Sequence, residues 1–190
     1  MNGLRLLLAL GSLAGPAGAQ GWTEGAAARA IEGPGHAALM GVMVEAGTSP
    51  VPFETDGCSG GLSEAWTVVA GRFPDFAEAH RTLPPWEACC VTHDRAYHDA
   101  GGATDAVASF DARLGADRAL ETCVVATGAS RVDALAGIYD VPADRIEAAY
   151  DSVARAMFLA VRVGGAPCSG LPWRWGYGYP DCGALSAVVD

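Results

Sequence analysis

Residues 89–98 read CCVTHDRAYH, which sets two adjacent cysteines before a His-Asp dipeptide. A Pro-Pro pair precedes this stretch and a Gly-Gly pair follows it, so the pattern predicts a helix over residues 86–100. Adjacent side chains on a helix point about 100° apart, because one turn takes about 3.6 residues. Cys89 and Cys90 therefore suit disulfide bridges to two different neighbours better than a bridge to each other.

The helical repeat also couples the cysteines to the polar pair. Residues three or four apart share one helix face, so Cys89, His93 and Tyr97 align, and Cys90 aligns with Asp94 beside them. We therefore expect the bridges to hold the helix from two sides while its polar face carries an imidazole and a carboxylate.

The rest of the chain predicts further helices and no strand pattern of comparable length, so the expected fold class is mainly helical. The N-terminal part favours one or two short helices with a break at Gly33-Pro34-Gly35, and Ser63 is a candidate cap for another short helix. The longer predictions are a helix from about 105 to 127, one that follows a capping box at Ser130 and ends near Tyr139, and an apolar stripe over 143–163.

The first residues have the layout of a cleaved signal peptide. Arg5 precedes a short apolar run, and small residues lead to a cleavage position near Ala19. We exclude residues 1–19 from the fold and expect secretion, into either the periplasm or the medium. Residues 20–190 are then one expected domain, with a monomer as the default state.

Charge and hydropathy exclude several classes of partner. The chain contains no Lys, and after the leader its 22 acidic and 11 basic residues leave a net charge of −11. Nucleic acid is therefore not an expected partner. No later segment is an apolar run long enough for a transmembrane helix.

All six cysteines follow the leader, at positions 58, 89, 90, 123, 168 and 182. An even number in an exported chain predicts three disulfide bridges, although the spacing alone leaves the pairing open. The remaining histidines, His36, His80 and His98, belong to no ligand pattern, and we expect surface or packing roles for them.

Three segments resemble the secreted phospholipase A2 superfamily. CCVTHDRAY at 89–97 matches that family's Cys-Cys-x-x-His-Asp-x-x-Tyr helix, and DRALETC at 117–123 resembles its Asp-Arg-Ala-x-x-x-Cys segment. TDGCSGG at 55–61 lies where the family has its glycine-rich calcium loop, and its Asp-Gly-Cys order is similar to the prokaryotic branch. The resemblance covers about residues 53–124.

The resemblance implies a core of two antiparallel, disulfide-linked helices with a calcium loop and additional helices. It implies the bridges Cys58–Cys90 and Cys89–Cys123, with Cys168–Cys182 as the third. That last bridge would enclose four aromatic residues, for which two interpretations stay open: contact with a lipid interface or cover for the core. They are Trp173, Trp175, Tyr177 and Tyr179.

The resemblance also implies catalytic roles that agree with ester chemistry. Hydrolysis needs an activated water, and His93 is the expected general base because a neutral imidazole titrates near working pH. Asp117 would orient the ring and stabilise the imidazolium, and Tyr97 would support that carboxylate by a hydrogen bond. An alternative for Asp117 is an exposed helix position without a role.

Calcium is the implied cofactor, because it accepts carboxylates, backbone carbonyls and water as ligands. Asp94 is the principal ligand, and Asp56 is a second candidate carboxylate. The backbone carbonyls of Gly57, Ser59 and Gly61 are candidates from the loop. An alternative interpretation is that Asp56 only forms an Asx turn before Gly57.

The expected activity is calcium-dependent hydrolysis of the sn-2 ester of glycerophospholipids at a membrane or micelle interface, releasing a fatty acid and a lysophospholipid. Two alternatives stay open. One is an esterase of the same fold that acts on another acyl lipid. The other is a non-catalytic binding or toxin-like module on the same scaffold.

Overall fold

The computed structural model describes residues 24–45, 49–58 and 62–183. In these residues the chain is mainly helical, as predicted, with seven α-helices, one 3₁₀ turn at Ala100–Gly102 and no strand. The helices are α1 (Ala26–Glu45), α2 (Leu62–Arg72), α3 (Pro74–His80), α4 (Glu87–His98), α5 (Ala106–Ala129), α6 (Val132–Tyr139) and α7 (Ala143–Gly164). None of the helices in this described part is long and apolar enough to cross a membrane. The predicted leader and its cleavage position near Ala19 lie outside the described residues.

Helices α4 and α5 pack against each other in opposite directions. A disulfide joins Cys89, in the first turn of α4, to Cys123 in the last third of α5. Near the other end of α4, the hydroxyl of Tyr97 accepts a hydrogen bond from Arg113 Nε, early in α5, at 3.2 Å. Since the start of one helix meets the end of the other, the pair is antiparallel.

All six cysteines form bridges, and the pairing agrees with the one that the family resemblance implies. Cys58–Cys90 ties the loop before α2 to α4, and Cys89–Cys123 ties α4 to α5. The two adjacent cysteines therefore bind two different partners, as their directions on the helix predict. Cys168–Cys182 closes the aromatic segment that follows α7.

Helix α5 is the centre of the fold, since it packs against α1, α4 and α7. One buried cluster surrounds the two bridges of α4 and includes Trp86, Leu120, Val124, Leu135 and Tyr150. Another lies at the end of α4, where Leu39 of α1 and Trp175 of the aromatic segment pack on Tyr97 and Ala100. Both clusters bury residues next to the polar face of α4 and so hold that face in place.

The prediction of a break at Gly33-Pro34-Gly35 is wrong. Helix α1 continues through it and contains Pro34 in its interior. Proline removes one backbone hydrogen bond, but contacts from other elements hold the helix: His36 and Leu39 are fully buried. At Gly35 a Cβ atom would lie 3.1 Å from Cγ of Pro167, so the glycine permits a close packing contact.

Two predicted helix caps are also wrong. Helix α6 begins at Val132 without a side-chain cap, and Ser130 Oγ instead donates to the carbonyl of Thr127 in the preceding helix. Ser63 lies inside α2, where its hydroxyl accepts from the amide of Cys58 and donates to Glu87 Oε2. A serine hydroxyl serves backbone and side-chain partners equally well, so spacing alone does not decide between them.

Two glycines of α5 give a matched test of its packing on α7. A Cβ atom at buried Gly128 would lie 2.3 Å from Cγ of Tyr150, whereas one at exposed Gly115 would meet nothing within 4 Å. We expect Gly128→Ala to lower the free energy of unfolding by about 1–3 kcal/mol, because the crowded ring has to move. Gly115→Ala should raise it by about 0.5–1 kcal/mol. Urea denaturation of both variants measures the difference, and equal effects would contradict this packing.

Candidate active site

His93 on α4 and Asp117 on α5 form a buried hydrogen-bonded pair. The distance from His93 Nε2 to Asp117 Oδ1 is 2.8 Å, and the two residues are 7% and 0% exposed. A carboxylate only accepts hydrogen bonds, so Nε2 carries the proton in the neutral ring. Nδ1 is then left with a lone pair, which is the state that a general base requires.

The free nitrogen of His93 lies beside a second carboxylate. Its Nδ1 is 3.9 Å from Asp94 Oδ1, and both residues line a cavity of about 170 Å³. Burial lowers the pKa of His93, but the hydrogen bond and charge of Asp117, with Asp94 nearby, outweigh burial, so that the pKa lies above its ordinary value. The ring is therefore a stronger base than an isolated histidine.

Tyr97 supports the same carboxylate by a hydrogen bond, as the resemblance implies. Its hydroxyl donates to Asp117 Oδ1 at 2.7 Å, and its ring centre lies 4.1 Å from that of His93. Burial and the charge of Asp117 raise the pKa of Tyr97 well above its ordinary value, so the phenol stays protonated as a donor. Asp117 is thus a buried residue at the junction of two helices, not an exposed helix position.

Sequence reasoning missed Arg162 on α7. Its Nη1 donates to Asp117 Oδ2 at 3.0 Å, so it holds the carboxylate oxygen that His93 and Tyr97 leave free. The sequence contained a signal for it, because Tyr150, Ala154, Phe158 and Arg162 follow one another in steps of four and so share one helix face. The structure shows that these four are the buried residues of α7. An arginine on a buried row needs an anionic partner, because an unpaired buried charge is costly.

Asp94 and Trp173 line two neighbouring cavities of different character. The smaller one, which also contains His93, has a mainly apolar lining that includes Leu62, Leu120, Met157, Ala160 and Val161. The larger one, about 410 Å³, is lined by Glu54, Thr55, Asp56, Pro172 and Tyr177 in addition to the two shared residues. Asp94 therefore stands between an apolar space and an acidic one.

The structure brings part of the predicted calcium loop to Asp94. Thr55 Oγ1 donates to Asp94 Oδ2 at 2.5 Å, and Asp56 lines the same cavity. Gly57 has a φ of 78° and a Cβ there would lie 1.8 Å from Glu87 Oε1, so this position requires glycine. Ser59 and Gly61, the other two predicted ligands, lie outside the described residues.

The donor atoms near Asp94 are of the type that calcium prefers, namely carboxylate oxygens. Only Asp94 and Asp56 supply predicted side-chain ligands, and the described residues contain no group of three or more His, Cys, Asp or Glu side chains placed to hold a metal. A calcium ion held here would need backbone carbonyls or water for its remaining ligands, which Ca²⁺ accepts.

The other histidines have packing roles and surface contacts, as predicted. His36 Nδ1 is 2.8 Å from Ser109 Oγ, and His98 Nε2 is 2.8 Å from the carbonyl of Val51. His80 Nε2 is 2.6 Å from the hydroxyl of Tyr139 at the surface. None of the three lines either cavity.

The two tryptophans of the aromatic segment differ: one covers the core, and the other lies at the surface. Trp175 is fully buried, donates from Nε1 to Ser109 Oγ at 2.9 Å and packs on Tyr97, so it belongs to the core. Trp173 is 39% exposed and lines both cavities. Only Trp173 of the two tryptophans is placed to meet a ligand at the surface.

No family model matches the chain, and comparison with curated proteins and with solved structures returns no match. A proposal of function for the chain therefore rests on its own residues, namely on the motif resemblance and on the distances, burial and charges that the structure gives.

His36 gives a prediction for the pH dependence of stability. Burial and the charges of Arg113 and Arg162 lower its pKa below the ordinary 6.5, although Glu32 raises it in part. As the pH falls through 6.5, the unfolded chain takes up a proton that the folded chain does not, so stability is lost. The loss continues down to the folded pKa, with a slope of at most about 1.4 kcal/mol per pH unit.

Urea denaturation of the wild type and of His36→Gln between pH 8 and pH 5 measures this contribution. Groups away from His36 titrate alike in both proteins, and the pKa of its neighbour Glu32 is also lowered by Arg113 and Arg162, so the stability difference over this pH range reports chiefly His36. We expect the free energy of unfolding of the wild type to fall relative to that of His36→Gln as the pH falls. A difference that is constant with pH would contradict the depressed pKa.

Proposed function

We propose that the chain is a secreted, calcium-dependent phospholipase A2, which hydrolyses the sn-2 ester of glycerophospholipids to a fatty acid and a lysophospholipid. The observation that carries the proposal is the buried His93–Asp117 pair, whose free Nδ1 lies 3.9 Å from a second carboxylate at the edge of an apolar cavity. The motif resemblance and the three bridges support it.

The pair provides the proton transfers that ester hydrolysis needs. His93 Nδ1 takes a proton from a water molecule as its oxygen attacks the ester carbonyl, and Asp117 stabilises the resulting imidazolium. The same Nδ1 then returns the proton to the departing alkoxide of the lysophospholipid. Over the two steps the water oxygen bonds to the acyl carbon, the ester C–O bond breaks, and the proton passes from water to the alkoxide. Tyr97 keeps its hydrogen bond to Asp117 in both steps.

Asp94 and Asp56, with backbone carbonyls of Gly57, Ser59 and Gly61, are the residues that would hold calcium. When bound, the ion would supply positive charge that offsets the charge developing on the carbonyl oxygen, an effect of several kcal/mol. Asp94 suits this task because it stands next to the base and also faces the acidic cavity.

The smaller cavity suits an acyl chain. Its aliphatic walls lie next to His93, and each methylene group that leaves water there contributes about 0.8 kcal/mol. Trp173, exposed at both cavities, is of the residue type that favours a lipid–water interface. A net charge of −11 after the leader favours zwitterionic over anionic lipid surfaces as the place of action.

The size of the apolar cavity favours a second candidate, an esterase of the same scaffold that acts on short acyl esters. Its volume is about 170 Å³, whereas pockets that enclose drug-sized ligands start at about 300 Å³. A long fatty acyl chain would extend out of it. Rates on phosphatidylcholines of increasing chain length distinguish the two candidates, because a short-chain esterase loses activity as the chain grows.

His93→Gln tests the base directly. The amide cannot accept the proton from water, so we expect hydrolysis of phosphatidylcholine vesicles to fall by about 10²- to 10⁴-fold. His80→Gln is the matched control, since His80 contacts Tyr139 and lines neither cavity, and it should keep wild-type activity. A His93→Gln protein that hydrolyses at the wild-type rate would rule out the proposed mechanism.

Asp94→Asn tests the cation. Removing one charge from the expected ligand should abolish the calcium binding that calorimetry detects in the wild type, and vesicle hydrolysis should be lost with it. The chelator EDTA should silence the wild type, and added calcium should restore its activity. Activity that persists in EDTA would contradict the calcium dependence but not the role of His93.

A further inference from the structure

Three charged residues, Arg162, Arg113 and Glu32, connect the His93–Asp117 pair to the N-terminal helix, and both arginines are buried. Arg162 donates from Nη1 to Asp117 Oδ2 at 3.0 Å and from Nη2 to Glu32 Oε1 at 2.5 Å. Arg113 donates from Nη1 to Glu32 Oε2 and from Nε to the hydroxyl of Tyr97. Burial raises the pKa of Glu32, but His36 and the two guanidinium groups outweigh burial and hold the pKa below its ordinary value. Glu32 is therefore ionised.

We propose that Arg162 and Glu32 are positioning residues for the base. Arg162 fixes the plane of the Asp117 carboxylate, and Glu32 of α1 holds Arg162 in the place from which it does so. The catalytic part of this inference rests on the proposed function, whereas the orientation of Asp117 does not.

Asp117 accepts three hydrogen bonds, and the one from Arg162 is needed to fix the plane of the carboxylate. His93 Nε2 and the Tyr97 hydroxyl both bind Oδ1, at 2.8 and 2.7 Å. The terminal torsion of an aspartate is soft, so two bonds to one oxygen leave the carboxylate free to turn about it. The bond from Arg162 to Oδ2 removes that freedom and so aims Oδ1 at the imidazole.

Glu32 holds Arg162 in place because its negative charge offsets the repulsion between the guanidinium groups of Arg162 and Arg113. Its two oxygens accept from different guanidinium groups, Oε1 from Arg162 and Oε2 from Arg113. Without this carboxylate, the buried cations would repel each other across a medium that screens poorly. Arg113 also donates from Nη2 to the carbonyls of Val161 and Arg162, each at 2.8 Å, so without Glu32 its charge stays anchored to the backbone beside the Arg162 guanidinium.

The test compares Glu32→Gln, Arg162→Lys and Arg162→Met with the control Arg29→Met. Arg29 pairs with Asp111 at 2.8 Å between helices α1 and α5, but the two side chains are 44% and 55% exposed, and Arg29 packs on the Phe110 ring rather than on Asp117. All variants are first checked for folding by circular dichroism. Arg162→Met leaves Asp117 with an uncompensated buried charge; if it does not fold, Glu32→Gln and Arg162→Lys decide.

On phosphatidylcholine vesicles with saturating calcium, we expect kcat to fall roughly 10- to 100-fold in Glu32→Gln and Arg162→Met, as for a misplaced catalytic group. Arg162→Lys should recover part of the loss, because it keeps the charge. KM and calcium affinity should stay within about twofold of wild type, since only the transition state is affected. Arg29→Met should match wild type.

A second readout does not depend on activity. The proton on His93 Nε2 should give a downfield imidazole resonance in NMR spectra, assigned by its absence in His93→Gln. We expect it to persist in Arg29→Met and to shift upfield or broaden in the Glu32 and Arg162 variants, because a turned carboxylate makes a weaker hydrogen bond.

The outcomes separate the two proposals. A wild type that does not hydrolyse phospholipid overturns the proposed function, and the resonance alone then decides on positioning. Folded Glu32→Gln and Arg162→Lys proteins with wild-type kcat and resonance overturn the positioning roles. An equal fall of kcat in Arg29→Met overturns the positioning roles too, because the effect would then come from weaker packing of α1 rather than from the contacts of Asp117.

Discussion

The hydrogen bond between His93 Nε2 and Asp117 Oδ1 is the contact on which the rest of the arrangement depends. It joins α4 to α5 and buries a carboxylate that is fully removed from solvent. An unpaired buried carboxylate costs several kcal/mol, so the fold must surround Asp117 with donors. It does so with an imidazole, a phenol and a guanidinium, each from a position that the disulfides or the core hold in place.

The sequence predicts the parts of this arrangement that depend on local spacing. Helical periodicity places His93 and Tyr97 on one face of α4, and two adjacent cysteines on that helix require two partners. The motif resemblance supplies Asp117 and the pairing of the bridges. The shared helix face and the Cys89–Cys123 bridge agree with the structure because they involve one helix or two helices joined by a short connection. The Cys58–Cys90 and Cys168–Cys182 bridges involve cysteines outside those two helices, and only the resemblance indicates their pairing.

What the sequence does not predict are contacts between distant parts of the chain. Glu32 and Arg162 are 130 positions apart, and neither belongs to a motif. The continuity of α1 through Pro34 also depends on contacts with distant parts of the chain, because the burial of His36 and Leu39 offsets a local preference for a break. Local patterns and the resemblance therefore indicate the His93–Asp117 pair, whereas Arg162 and Glu32 become apparent only when all helices are packed.

The need for a third helix follows from the geometry of a carboxylate. Two bonds to one oxygen define an axis but not a plane, and both residues that supply them lie on α4, a single turn apart. Fixing the plane therefore requires a donor from a different direction, which α7 supplies through Arg162. Because that donor is a buried cation beside another cation, it requires an anion of its own, and α1 supplies Glu32. The two-helix motif is thus chemically incomplete alone, which gives residues 24–45 and 143–164 a role at the site.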